Sequence, residues 1–476
     1  MTYRPVIDRT YFADERGDDL HDVGTSVPRT DAVGHVTGQT EYFEDLQLRD
    51  PSDLLHLKMH RSDRHHALIK GIDTSGAKAV PGVVRVLTHE DVPNNWYTIL
   101  RLIGIEPQEE PVLAVDRVLF RGEQICAVLA ETEAAAIEGA SKVIVTYEDL
   151  EPVFDVEEAL KPETIKIKPH GENYFRYDGA DQPGGSGDGH HCRRVRFGDV
   201  EAAFAGADHV FEHRYEAAPI EHAPIEMTGC IVVPTSDGRL TIHSDTQACF
   251  FTLDNTALIM GEPFQNFRVI GGTVGGGFGG KVDVITEPIA CLAARVTNRP
   301  VKYVYNRAEE MQVSSPRAGE RFIIKDGVNS DGKIVARKVT VFVDAGAYSR
   351  HTPYGTTKAA AHMPGPYTIP NVWVDAHCVY TNRTPSSAMR GFGVTIADFA
   401  LESQMDRIAK ALGIDPMEFR LINAYRDGDM KAHRQVVDDA ALIEVVQKTA
   451  ELVGRELPPE LAALSSVVAS NDGGQN

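Results

Sequence analysis

No stretch of this 476-residue sequence approaches the roughly 20 consecutive apolar residues of a membrane-spanning helix, so a helical membrane protein is set aside. The opening residues Met1-Thr-Tyr-Arg-Pro5 lack an apolar core, so no export signal is expected and the expected location is cytoplasmic. Cysteine is scarce: Cys126, Cys192, Cys230, Cys249, Cys291 and Cys378 are scattered, with no CxxC pair. That argues against an iron–sulfur or zinc knuckle in this chain and against a disulfide framework, leaving reduced, buried thiols as the expectation. Positive charge is also short. Lys and Arg number 48 against 69 Asp and Glu, a formal net charge of -21, which disfavours nucleic acid and anionic lipid as partners. No internal repeat is visible.

What is present is an ordinary soluble composition, 42% hydrophobic and 25% charged, in a chain too long for one core. The expected fold class is α+β. Residues 1–22 read as an N-terminal arm and 23–160 as a small α+β unit. Its strand-like runs are Leu55–Met59, Gly82–Leu87, Gln124–Leu129 and Lys142–Tyr147, with Thr132 capping a helix through Ala140. Residues 161–196, which include Pro183-Gly-Gly-Ser-Gly-Asp-Gly189, read as a linker or loop insertion. His190, His191 and Cys192 there could bind a metal, but an exposed polar tract is the expected reading. Residues 197–430 form a second domain. It is β-rich at first, then has a helix over Thr252–Met260, a strand over Phe267–Ile270, and a helix over Phe399–Leu412 that Gly413 would cap. Residues 431–476 hold another amphipathic helix, Asp438–Gly454, and a polar tail.

The strongest local signal is Gly271-Gly-Thr-Val-Gly-Gly-Gly-Phe-Gly-Gly-Lys281. So many glycines let backbone approach a ligand closely and let N–H groups converge on an anion. Three readings compete. Gly275, Gly277 and Gly280 fit GxGxxG, yet Asn306 and Arg307, not an acid, end the following strand. Gly275–Lys281 fits GxxxxGK, yet Val282 stands where Ser or Thr would hold magnesium. The third is a loop that merely lets two backbones pass. His222 and Glu226 have the spacing of a helical zinc pair, but Pro224 between them argues against a helix, and both are assigned to structure.

A second motif decides among these. Ala388-Met-Arg-Gly-Phe-Gly393, with Gly276-Gly-Gly-Phe-Gly-Gly-Lys281 upstream, resembles the molybdenum-binding subunit of the xanthine dehydrogenase and aldehyde oxidase family. Val27-Pro-Arg-Thr-Asp-Ala-Val-Gly-His-Val-Thr-Gly38, Arg121-Gly-Glu-Gln-Ile-Cys126, Pro370-Asn-Val372 and Leu412-Gly-Ile-Asp-Pro416 extend the resemblance over nearly the whole chain. It implies a hammerhead-like α/β N-terminal domain followed by the first molybdopterin-binding α+β domain. It also implies a molybdenum–molybdopterin cofactor, the cytosine dinucleotide form among the options, with no side-chain metal ligand, so that neighbouring donors hold the group. By the same resemblance, the Gln247 amide faces the oxo ligand. The backbone at Gly277, Phe278 and Gly279 lies against the cofactor, with the Phe278 and Gly279 N–H groups toward the metal's oxygen ligands. Arg390 sits near the reacting centre and Phe392 packs on a planar substrate.

The resemblance further implies a missing half. Full-length relatives carry a second molybdopterin domain with the general-base glutamate, and the family's split large subunits, as in nicotinate dehydrogenase, divide here. The expectation is therefore a molybdenum hydroxylase subunit in a hetero-oligomer. Its partners would be a second molybdopterin-binding chain with the catalytic glutamate, a [2Fe–2S] chain and an FAD chain that take the electrons. The substrate would be a small N-heterocycle, nicotinate- or purine-like, hydroxylated at an electron-poor carbon with water. Val282 replaces the glutamate of purine-oxidising relatives, and Lys358 stands where many have arginine, which suits an anionic heterocycle. The alternatives are an aldehyde-oxidising member and a non-catalytic truncated paralogue that acts in assembly.

Overall fold

The computed structural model describes residues 26–46, 53–103, 108–168, 171–177, 192–438 and 440–457. The arm 1–22, His190, His191 and the tail from Ser465 lie outside the described residues. In the N-terminal region the aliphatic runs form β1 (Leu55–Arg61), β2 (Ala67–Asp73), β3 (Val83–Leu87), β4 (Gln124–Ala130) and β5 (Ile144–Asp149). Helix α1 (Glu133–Ser141) starts as expected, the Thr132 hydroxyl accepting from the Ala135 N–H. Then follow β6 (Arg193–Phe197), β7 (His209–Ala217), β8 (Gly229–Pro234), β9 (Leu240–Ser244), β10 (Phe267–Gly271), β11 (Val301–Val304), β12 (Glu320–Val328), β13 (Ile334–Gly346) and β14 (Val372–Tyr380).

Seven of these form one sheet in the order β10-β9-β8-β11-β1-β4-β3. Its centre is the parallel pairing of β1 with β11, Leu55 opposite Val301. Strands from the two expected domains thus share a single hydrogen-bonded layer. Helices α2 (Cys249–Met260) and α3 (Glu287–Thr297) pack on it, and the largest core lies between, from Leu57 and Leu129 through Ile242 to Ile289 and Tyr303. A second sheet runs β7-β12-β13-β14-β6. Helices α4 (Thr352–His362) and α5 (Thr395–Leu412) cover it over a core of Phe322, Val341, Met363, Val374 and Met405. Gly413 ends α5 with a left-handed φ of 69°. Among the described residues no helix is long and apolar enough to cross a membrane.

The expected linker is different in its described part. Ile167, Lys168, Asn173, Phe175 and Tyr177 are all buried. The Asn173 amide accepts from the Ile167 N–H and donates to the Ala159 and Ile165 carbonyls, so this segment is packed structure rather than a solvated spacer. Its backbone is further tied down where the Phe175 N–H donates to the Cys378 carbonyl on β14. Within the same expected span, Arg193–Phe197 is an edge strand of the second sheet. Cys192 is a buried thiol beside Asp375. All six cysteines are free.

Because β1 carries its core face into the shared sheet, the N-terminal region and the later strands are expected to unfold together. Leu57 is 1% exposed. Leu57→Ala should lower stability by about 2–5 kcal/mol through lost burial and a residual cavity. A urea melt followed by circular dichroism should show one transition, and two separated transitions would refute the coupling.

Candidate functional site

The glycine loop leaves the end of β10, as its strand-to-helix placement predicts, and closes in a short 3-10 turn, Gly280–Val282, before α3. It is held from below by charge. Lys281, 2% exposed, places its ammonium 3.0 Å from Glu226 Oε2 and 2.6 Å from Asp245 Oδ2. Glu226 Oε2 also accepts from the Gly275 N–H at 2.6 Å, and its Oε1 from the Phe43 N–H at 3.2 Å. The residue before Phe43, Tyr42, pairs by a β-bridge with Thr273 of the loop. Burial pushes Asp245 up to about 7, against the opposing pull of Lys281 and the Gly229 N–H.

Gln247 lies just beyond β9 and is stitched to the loop on both sides. Its N–H donates to the Lys281 carbonyl at 2.8 Å. Its Oε1 accepts from the Gly279 N–H at 2.9 Å and the Lys281 N–H at 3.4 Å. Two donors on one atom require that atom to be the oxygen, which leaves the NH₂ group turned away as a donor. The approach is close enough that a Cβ on Gly277 would stand 2.5 Å from Gln247 Oε1. The Gly279 N–H, expected to face a ligand, is consumed by this contact because the glutamine oxygen occupies its acceptor position. The N–H groups of Gly276, Gly277 and Phe278 have no acceptor among the described residues. Backbone alternation produces this, with φ at 102° for Gly276, 53° for Phe278 and 103° for Gly279. The Phe278 ring remains 47% exposed.

The two motifs meet directly. The Arg390 N–H donates to the Phe278 carbonyl at 2.8 Å. Arg317 clamps the same segment from behind, its guanidinium donating to the carbonyls of Arg390 and Gly391. His222 Nε2 donates to the Ala388 carbonyl at 2.9 Å, and its ring fills the space beside Gly280. The Arg390 side chain is exposed and pairs with no carboxylate among the described residues. Phe392 packs on Gly355 of α4, where a Cβ would come within 2.7 Å of the ring. Lys358, one turn further along α4, holds its ammonium 4.9 Å from the Tyr354 ring centre and 5.7 Å from that of Phe392. Val282 is half-buried at the loop's exit, its N–H on the Gly279 carbonyl at 3.4 Å.

The structure therefore gathers Gln247, Gly277, Phe278, Gly279 and Arg390 into one group, and Phe392 with Lys358 into a neighbouring one. Val282 is tied to the first group through backbone alone. His222 and Glu226 are not helical, as Pro224 suggested, and both brace the glycine loop. Asp245 and Arg317 carry no motif that marks them in the sequence, and the spacing that marked Glu226 pointed to a different role. Their roles exist only once the chain is folded.

Over residues 185–424 the chain matches the model of a molybdopterin cofactor-binding domain, and over 37–151 that of the aldehyde oxidase and xanthine dehydrogenase a/b hammerhead domain. It is 34% identical to the nicotinate dehydrogenase large molybdopterin subunit of Eubacterium barkeri, across 91% of this chain and 97% of that one. The chain belongs to the xanthine dehydrogenase and aldehyde oxidase family. It is also 32% identical to the nicotine 6-hydroxylase large subunit of Paenarthrobacter nicotinovorans, covering 90% of this chain and 52% of that one. The solved aldehyde oxidoreductase from Desulfovibrio gigas superposes with a TM-score of 0.83 at 32% identity, covering 89% of this chain and 46% of that one. The chain thus spans about half the length of these last two relatives. Members of the family are molybdenum oxidoreductases, and this chain has the family's hammerhead and molybdopterin-binding folds.

In this family member Glu226 is the hinge pin of the loop, with its side chain 8% exposed. Glu226→Ala would leave a buried ammonium short of one partner and is expected to cost about 3–5 kcal/mol. Glu226→Gln keeps an acceptor for Gly275 and should cost less. Denaturant melts measure both, and amide exchange at Gly275, whose N–H loses its acceptor, should quicken in the alanine variant; unchanged exchange there would refute the bracing role.

Proposed function

We propose that this chain is the molybdopterin-binding subunit of a multi-subunit molybdenum hydroxylase that oxidises an anionic N-heterocycle of the nicotinate type. The groups present fit the cofactor. Five donors there lack an acceptor or a carboxylate partner among the described residues: the N–H groups of Gly276, Gly277 and Phe278, the Gln247 NH₂ and the Arg390 guanidinium. Such a set suits an oxygen-rich anion and no cation. When bound, the molybdenum centre supplies oxygen transfer from water and a two-electron oxidation.

The remaining steps belong to the chain's own residues. Gln247, its oxygen locked on the Gly279 N–H, holds its NH₂ in a fixed direction and costs no reorganisation when a ligand accepts from it. Arg390, fixed by its backbone to Phe278, offers a permanent positive charge at the same rim. Phe392 and Tyr354 form an aromatic corner, ring centres 6.0 Å apart, into which a flat heterocycle can stack. Lys358 supplies the point charge for a substrate carboxylate. A second molybdopterin-binding chain would bring the general-base glutamate, and [2Fe–2S] and FAD chains would receive the electrons.

The observation that carries the substrate reading is Lys358 itself, exposed, set over two rings and paired with no carboxylate among the described residues. Similarity to a nicotinate dehydrogenase subunit over 97% of that subunit's length supports it. The test is steady-state kinetics of the assembled complex on nicotinate, its amide, hypoxanthine and a simple aldehyde. Nicotinate should be preferred, and Lys358→Ala should raise its KM about tenfold, the equivalent of ~1.4 kcal/mol, while the amide's KM stays put. A preference for hypoxanthine, or equal weakening of every substrate, would sink the substrate reading and leave the cofactor reading standing.

The cofactor reading has its own test in Gln247→Ala. With the NH₂ donor gone, turnover or molybdenum retention of the complex should fall about 10–100-fold, the usual cost of losing a donor behind a metal centre. Metal analysis and turnover at normal values would refute the assignment.

A further inference from the structure

Four consecutive residues before α4 each engage a carboxyl group. Tyr348 donates its hydroxyl to Glu123 Oε1, and the Ser349 N–H donates to Glu109 Oε1 at 2.7 Å. The Arg350 guanidinium donates to Glu110 Oε1 at 2.8 Å and again through Nε at 3.2 Å. His351 Nδ1 lies 2.8 Å from Asp283 Oδ1, which also accepts from the Ser387 hydroxyl at 2.8 Å. All four residues of this ladder are buried, as are all four carboxyl groups. Three of the acids come from the N-terminal region, and the fourth directly follows Val282 at the exit of the glycine loop.

The ladder is braced again from the side. Lys168 packs its ammonium 4.2 Å from the Tyr348 ring centre and 4.9 Å from that of Tyr380, 3.4 Å from Glu109. Within it Arg350 adopts a φ of 41°, a left-handed conformation that a side-chain-bearing residue keeps only when its surroundings over-determine it. Two residues later α4 begins, carrying Tyr354 and Lys358 on one face, with Gly355 pressed against Phe392. That contact has no slack, so a shift of α4 must move Lys358 relative to Phe392.

We propose that this ladder sets the position of α4, making Glu110 a positioning residue for substrate recognition through Lys358. The inference rests on the anionic-substrate reading above. On this view the hammerhead region does more than stabilise the fold: its three carboxyl groups determine where the recognising cation stands. Glu110 touches neither cofactor nor substrate and acts only through Arg350.

The test uses the assembled complex with nicotinate and its amide as probes. Glu110→Gln should raise the nicotinate-to-amide KM ratio about three- to tenfold, the range typical of a coupled network, with kcat and molybdenum content within about twofold of the parent. Amide exchange in Ala359–His362 should quicken. Tyr348→Phe deletes a single hydroxyl, keeps the ring over Lys168, and should move both readouts in the same direction; it decides the matter if Glu110→Gln fails to assemble. Lys358→Ala, run alongside, separates the two ideas. A ratio that Lys358→Ala leaves unmoved overturns the anion reading on which the proposal rests. A ratio that Lys358→Ala moves, but that neither ladder variant moves, overturns the ladder proposal alone, as do ladder variants that lower only stability or kcat.

Discussion

Lys281 carries a positive charge beneath the glycine loop, and most of the site's geometry follows from the need to pair it. An ammonium taken out of water costs several kcal/mol, and the cost is offset only if partners are close and otherwise satisfied. Glu226 and Asp245 supply them from two different segments, and Glu226 uses its remaining capacity on the Gly275 and Phe43 N–H groups. One buried charge therefore fixes the beginning and end of the loop, the segment before β1 and the end of β9. Gln247 lies two residues past Asp245, so anchoring that carboxylate also delivers the glutamine to the loop. A hydrophobic residue at 281 could fill the same volume but could not specify all these partners at once.

With the loop pinned, its backbone has few options. Gly276 and Gly279 take positive φ, and Phe278 is forced to do so between them. Strain at a residue with a large side chain is unusual and is sustained here by bonds on either side, the Arg390 N–H on the Phe278 carbonyl and the Gly279 N–H on Gln247. The result is a run of three N–H groups, Gly276 to Phe278, without protein acceptors among the described residues. The same restraint passes onward to Arg390 and, through the Arg317 clamp, to Gly391 and Phe392.

Much of this was legible in the amino-acid order, and the boundary of legibility has physical causes. The strand over Phe267–Ile270, the helix ending at Gly413 and the Thr132 cap are local matters, decided by periodicity and capping chemistry, and they stand where the pattern puts them. Gln247, the glycine loop and Arg390 were visible through motif resemblance, and the structure brings them into one group. The linker expectation rested on the turn-rich run Pro183–Gly189 and does not hold for the residues before it, where Ile167, Phe175, Tyr177 and Asn173 are buried and make contacts that no local pattern marks. The strands β12 to β14 were not read at all. In β12 and β13 the buried positions include Glu320, Arg321, Asp326 and Arg337, and charged residues on a buried face break the apolar–polar alternation by which a strand is recognised. The Gly279 N–H was assigned to a ligand, and only the folded geometry reveals that Gln247 takes it.

The site divides its labour in a way that bears on how such a chain can change. Contacts suited to the cofactor come from backbone N–H groups and from side chains locked by backbone, so nearly any substitution around the loop disturbs the fold that presents them. The contacts that the proposed function gives to the substrate come from side chains on α4, joined to the loop by packing and by the Asp283–His351 contact, and from Phe392, tied to it through the Arg390 backbone. Exchange of Lys358 alters charge at an exposed position without touching Lys281, Glu226 or Gln247. Under the proposed function, recognition would be free to drift between anionic, neutral and smaller substrates while the glycine loop stays constant, and the constraint on that drift would be the close packing of Gly355 against Phe392.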